Sequence, residues 1–150
     1  AIDLAHSLGL EKPKLAILAA VETVTSKMTA TLDAAALCKM AERGQIKGGI
    51  LDGPLAFDNA ISAQAAETKG IKSPVAGDPD ILLAPDLESG NILAKQLTFL
   101  ANADSAGMVL GARVPIILTS RADNVRSRIA SCGVAKLVAH ARRGQTVGAY

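Results

Sequence analysis

Three polar side chains crowd into the four residues Ser120-Arg121-Ala122-Asp123, directly after the apolar run Ile116-Ile117-Leu118. A helical pattern follows at once, spaced from about Asp123 to Arg143 and closed by Gly144. A hydroxyl, a guanidinium and a carboxylate are thereby expected at a helix start. Free backbone N–H donors and the positive end of the helix dipole favour an anion at such a point. Arg121 adds a permanently charged, planar fork of donors that suits phosphate. The same residues also fit a capping box, in which Ser120 and Asp123 satisfy the helix start and do no chemistry. At the level of sequence both readings stand, and capping is the commoner origin of such a pattern.

Two further polar segments follow apolar runs. Asp52-Gly53-Pro54 comes after Ile46 to Leu51, and Pro85 to Asn91 comes after Ile81 to Ala84, carrying Asp86, Ser89, Gly90 and Asn91. Both are expected as strand-to-helix turns, as is the Ser120 segment. In open α/β sheets ligands bind beyond the carboxyl ends of the strands, where such turns lie. Each segment alone reads equally as an Asx turn or a cap. Three of them in similar topological positions point to a site without naming its ligand.

Several chemistries are excluded. No Gly-x-x-x-x-Gly-Lys-[Ser/Thr] or Gly-x-Gly-x-x-Gly occurs, so the common nucleotide cradles are absent. His6 and His140 are the only histidines, and an unbroken last helix would carry His140 roughly 30 Å from Ser120. That distance argues against a Ser–His–Asp relay. Asp78, Asp80, Asp86 and Glu88 are acidic but match no Mg²⁺ or Ca²⁺ spacing, and they read as solvated loop carboxylates; no metal is expected. Cys38 and Cys132 lie far apart in helical patterns, which reads as two reduced core thiols in a cytosolic protein.

The elements that must position these groups alternate. Helical spacing is expected over Ile2 to Leu8 (stopped at Gly9), Thr31 to Arg43 (stopped at Gly44), Leu55 to Lys69 (stopped at Gly70) and Gly90 to Ala103, besides the last helix. Apolar runs of strand length are Lys14 to Val21, Ile46 to Leu51 with a bulge suggested by Gly48-Gly49, Ile81 to Ala84, Met108 to Gly111 and Ile116 to Thr119. This order predicts an α/β layered fold with helices on both faces of a sheet. The length of 150 residues is one domain's worth. Hydrophobic residues make up 49% of the chain while Phe57, Phe99 and Tyr150 are its only aromatics, so the core must be aliphatic, as suits a parallel sheet. Sixteen Lys and Arg nearly balance 14 Asp and Glu and are scattered, which argues against nucleic acid. No apolar run reaches membrane-spanning length, and no signal segment opens the chain. The chain starts at Ala1 directly in a helical pattern, as expected of a piece of a longer polypeptide.

Three phrases together resemble the phosphate acetyl- and butyryltransferases: LDGPLAFDNAIS (Leu51 to Ser62), VAGDPDILLAPDLESGNILAKQL (Val75 to Leu97) and PIILTSRAD (Pro115 to Asp123). Their order and separations are similar to the family's and span most of the chain. The phrase LTSRAD is nearest the butyryl-type branch, and the whole resembles the C-terminal part of bifunctional enoyl-CoA hydratase/phosphate acetyltransferases. The resemblance implies a three-layer αβα sandwich of the isocitrate/isopropylmalate dehydrogenase type. Residues 1–150 would be the C-terminal part of the transferase domain: one subdomain and the closing segment of the other, the N-terminal half being absent.

The implied reaction moves an acetyl or butyryl group between coenzyme A and inorganic phosphate. Phosphate is itself the nucleophile at the thioester, so no activated Ser or Cys is required, and Arg and helix-terminus donors offset its charge. By the resemblance Arg121 is the phosphate clamp, Ser120 an oxyanion or thiol partner, and Asp123 the nearest carboxylate for proton transfer. Asp52, Gly53, Pro54, Asp86, Ser89, Gly90, Asn91 and Lys95 are the implied substrate-binding residues. The acetyl-type branch carries its catalytic Asp where this chain has Ser127, and the butyryl-type branch reads Tyr-Lys where it has Ala94-Lys95. Acyl-CoA and phosphate are the expected partners, in a cytoplasmic homodimer, with no membrane and no bound cofactor beyond coenzyme A as substrate. A rival reading, from domains of this kind fused to other enzymes, is a non-catalytic acyl-CoA-sensing or assembly module.

Overall fold

The computed structural model describes residues 1–146, with side chains to Arg143. The chain is mixed α/β and divides into two compact units, one comprising Ile2 and Glu11–Ile92, the other Ala1, Asp3–Leu10 and the residues from Leu93 onward.

The first unit is built on a three-stranded parallel sheet, β1 (Lys14–Leu18), β2 (Ile50–Leu55) and β3 (Ile81–Leu83), in the order β2-β1-β3. The central strand is buried at Leu15, Ala16, Ile17 and Leu18 without alternation, as expected of a parallel strand covered on both sides. Ile17 and Leu15 pack with Ala34 of α2 (Thr29–Glu42), and Leu37, Cys38, Leu51 and Ile81 close around them. Helix α2 follows the aliphatic spacing expected for it, and Gly44 stops it with φ 73°, a backbone region that glycine enters without steric cost.

The second strand departs from expectation. It begins at Ile50, not Ile46, because Gly48 turns the chain at φ 86° and Ile50 N–H then bonds Pro13 carbonyl at 2.9 Å. It continues through Asp52-Gly53-Pro54 to Leu55, so these three residues lie within a strand, not in a turn after it. The register slips between Ala16 and Leu18, and the irregularity falls at Gly53-Pro54, whose peptide is cis, instead of at Gly48-Gly49. Gly53 is sterically required there: a Cβ would sit 2.7 Å from Ile17 O and 2.8 Å from Ile17 Cβ.

The helix expected from Leu55 to Lys69 is two helices, α3 (Phe57–Ile61) and α4 (Ala63–Thr68). Ser62 breaks it with extended backbone, and its Oγ accepts Ala65 N–H at 3.2 Å to cap the second helix. The loop to β3 is held by Gly77, whose N–H bonds Ala60 O at 2.8 Å.

The second unit contains α1 (Ile2–Ser7), the later turns of α5 (Leu87–Phe99), the antiparallel pair β4 (Met108–Val109) and β5 (Ile116–Ile117), and α6 (Val125–Thr146). Among the described residues its buried ones are few: Ala5, Ala135, Val138 and the serines Ser127 and Ser131. Hydroxyls tie α6 to the preceding segment. Ser131 Oγ accepts Gly107 N–H at 3.0 Å and donates to Ser127 O at 2.7 Å, and Ser105 and Ser127 hydroxyls meet at 3.1 Å. The run at Ile116 is not the buried strand its composition suggests. Ile116 and Ile117 are 45% and 42% exposed; β5 pairs with only two residues of β4 and packs on α6. No residue of α5 is buried either. Helix α6 begins two residues later than expected and does not stop at Gly144, since its hydrogen-bonded backbone continues to Thr146.

The two thiols also separate. Cys38 is half-buried with its Sγ donating to Gly53 O at 3.4 Å, whereas Cys132 is exposed on α6 and is not a core residue. Burial pushes the Cys38 thiol up, and the neighbouring Asp52 carboxylate adds to the shift. Since the thiolate is the reactive form, iodoacetamide at pH 8 should alkylate Cys132 at least about tenfold faster than Cys38. Peptide mapping by mass spectrometry reads the order, and faster labelling of Cys38 would contradict this packing.

Candidate active site

The Ser120 segment forms a turn of its own. Asp123 Oδ2 accepts Ser120 N–H at 2.6 Å, Ser120 O accepts Asp123 N–H at 3.1 Å, and Ser120 Oγ accepts Ala122 N–H at 3.3 Å. The cap of α6 is instead Asn124, whose Oδ1 accepts Ser127 N–H at 2.8 Å. The capping-box expectation is therefore corrected: Asp123 reaches back as proposed, but the reciprocal bond goes to Ala122 and the helix starts beyond it. Arg121 is exposed and makes no ion pair or hydrogen bond among the described residues, so its guanidinium is available to an anion. Asp123 is half-buried, with one carboxylate oxygen already accepting a backbone donor. Ser127, where the resemblance would place a catalytic carboxylate, is buried among hydroxyl and backbone bonds.

In the other unit, the segment after β3 is a helix cap. Asp86 Oδ1 accepts Ser89 N–H at 2.7 Å and also takes the Ser89 hydroxyl, and these bonds hold the Asp86 carboxyl below its usual range. Gly90 N–H bonds Asp86 O at 3.1 Å in the first turn of α5, and Asn91 is exposed beside it. Asp52 is half-buried in β2 and its Oδ1 accepts Gly53 N–H at 2.9 Å. Lys95 lies with its Nζ 5.8 Å from the centroid of the Phe99 ring. The structure thus groups Asp52, Gly53 and Pro54, groups Asp86, Ser89, Gly90 and Asn91, and groups Ser120, Arg121 and Asp123.

Two of the acidic residues before β3 engage Lys14. Lys14 Nζ pairs with Asp78 at 2.9 Å and Lys14 N–H bonds Asp80 Oδ2 at 2.8 Å, which raises the Lys14 ammonium and lowers the Asp78 carboxyl. Among the described residues no group of three or more His, Cys, Asp or Glu could hold a metal ion, and no helix is long and apolar enough to cross a membrane.

Sequence reasoning missed one cluster. Glu22, in the loop after β1, accepts a bond from Asn59 Nδ2 at 3.3 Å and pairs with Lys69 Nζ at 3.6 Å. Lys69 also pairs with Asp58 at 3.0 Å, raising the ammonium and lowering the Asp58 carboxyl. Asn59 is fully buried and its Oδ1 has no partner. The signal was the polar pair Asp58-Asn59 set between the apolar pairs Ala56-Phe57 and Ala60-Ile61.

Solved structures place the fold among phosphotransacylases. The branched-chain phosphotransacylase from Enterococcus faecalis V583 superposes with a TM-score of 0.82 at 36% identity, over 93% of this chain and 50% of that one. Residues 1–135 match the family Phosphate acetyl/butaryl transferase, and the chain belongs to that family. It is 67% identical to a phosphate acetyltransferase of Rhizobium meliloti, over 99% of this chain and 47% of the relative. It is 47% identical to the phosphate butyryltransferase of Clostridium acetobutylicum, over 92% of this chain and 46% of the relative. The chain spans about half the length of the curated relatives it matches.

Proposed function

We propose that this chain is the C-terminal part of a phosphate acyltransferase domain that exchanges an acetyl or butyryl group between coenzyme A and inorganic phosphate. The observation that carries the reading is Arg121, a guanidinium without a protein partner among the described residues, beside a hydroxyl and a carboxylate, in a chain of this family. Arg121 binds the phosphate bidentately and Ser120 donates to the carbonyl oxygen or the thiol, offsetting charge as the nucleophile approaches the thioester. Asp123 orients this turn through Ser120 N–H and is the nearest carboxylate to it in sequence. Asp52 to Pro54, Asp86 to Asn91 and Lys95 contribute to the coenzyme A and acyl side. The fold completes a three-layer αβα sandwich of the isocitrate/isopropylmalate dehydrogenase type, in a cytoplasmic homodimer.

The full-length polypeptide should release thiol from acetyl-CoA or butyryl-CoA only when phosphate is present. A thiol-reagent assay with and without phosphate tests this, and release in its absence would indicate a hydrolase and end the transferase reading.

A further inference from the structure

We infer that Glu22 is the proton acceptor for the coenzyme A thiol, held in place by Asn59 and Lys69; the inference rests on the transferase reading above. The sheet order β2-β1-β3 means that the chain leaves β1 to one side and returns to its other side, and ligand crevices of open α/β sheets lie at the carboxyl ends of the strands where this reversal occurs. Glu22 lies in the loop that leaves the carboxyl end of β1, and Asn59 lies in α3, the helix that follows β2.

The geometry is that of a prepared carboxylate. Both Asn59 Nδ2 and Lys69 Nζ approach the same oxygen, Oε2, at 3.3 and 3.6 Å. Oε1 has no partner among the described residues. The Glu22 side chain is 35% exposed. Asn59 is 0% exposed, and it directs its amide donor at Glu22 while its own Oδ1 is left unpaired. A carboxamide serving only to fill the core would not leave a buried acceptor unmet. The role is also open elsewhere: Asp123 already accepts Ser120 N–H, and Ser127 carries no carboxylate.

In the direction from acyl phosphate, the S–H proton passes to Glu22 Oε1 and the sulfur electron pair forms the thioester bond at the acyl carbon. The C–O bond to phosphate breaks with its electron pair on the phosphate oxygen, which takes the proton back from Glu22. The opposite direction runs through the same steps reversed.

The test is steady-state kinetics of the full-length enzyme with coenzyme A and acetyl or butyryl phosphate, with melting temperatures alongside. Glu22→Gln should lower kcat at least about a hundredfold, within the range of general acid–base catalysis, with KM for coenzyme A held within about threefold and the melting temperature little changed. Glu22 is faced by Asn59 Nδ2 and Lys69 Nζ, with Asp58 beyond the lysine. Both facing groups hold Oε2 in place, so Asn59→Ala and Lys69→Met should each lower kcat, with KM for coenzyme A held within about threefold. Lys69 is exposed, so its variant reports even if Asn59→Ala unfolds. Glu22→Gln with kcat unchanged, or a rise in KM alone, overturns the proposal, as does a wild-type kcat in Lys69→Met. Because the wild-type enzyme's phosphate dependence is measured separately, failure here leaves the transferase reading standing.

Discussion

Arg121→Ala in the full-length polypeptide is expected to lower phosphate-dependent acyl transfer at least about tenfold while the melting temperature hardly moves. The guanidinium makes no bond within the described residues, so its removal breaks nothing in the fold. It would remove charge-assisted bonds to phosphate worth about 1.5–3 kcal/mol each, and about 1.4 kcal/mol in the barrier is one decade of rate. Arg121→Lys keeps the charge but loses the fork and should fall between the two. Ser120→Ala should cost little stability, since its hydroxyl holds only Ala122 N–H at 3.3 Å and does not cap α6. The comparison to make is rate against melting temperature for the three variants. An Arg121→Ala enzyme with normal rate and lowered melting temperature would show a structural arginine.

Gly53→Ala should be the most destabilising of the single-methyl additions in the parallel sheet. The new Cβ would lie 2.7 Å from the Ile17 carbonyl oxygen, inside the central strand, where neither backbone can yield without opening the β1–β2 ladder. Overpacking of this kind costs about 3 kcal/mol or more at the upper end of its usual range, and at 2–4 °C per kcal/mol the melting temperature should drop by roughly 6–12 °C. Gly133→Ala is the matched control. It lies within α6 with nothing within 4 Å of the added methyl, so it should hold or raise the melting temperature by relieving a helix of its glycine. A melting temperature for Gly53→Ala equal to wild type would mean that the strand can shift at Asp52-Gly53-Pro54.

The position of Gly53 shows where local reading reaches its limit. Gly and Pro together signal a turn in any window of sequence, yet here they lie inside a strand, because close approach to Ile17 makes glycine necessary there. The same limit applies at Ile116 to Leu118, whose composition reads as buried strand although the pair with β4 is only two residues long. Hydrophobicity states what a segment would bury, not whether a neighbour is there to cover it. Cys132, expected as a core thiol, is exposed for the same reason.

What the sequence by itself determined is the alternation of elements, the glycine stops at Gly9, Gly44 and Gly70, the continuous aliphatic burial of β1, and the family phrases around Asp52, Asp86 and Ser120. These rest on local periodicity and on residues whose backbone freedom or chemistry is intrinsic to them. Only the tertiary structure decided that Asn124 and not Ser120 caps α6, that Asp123 is engaged while Arg121 is not, and that Lys14 neutralises the acidic loop. It alone brought Glu22 to Asn59 and Lys69, across separations of 37 and 47 residues in the numbering. Hydrogen bonds and ion pairs act over a few ångströms of space, and only the packing of β1 beside β2 makes residues so distant along the chain into neighbours.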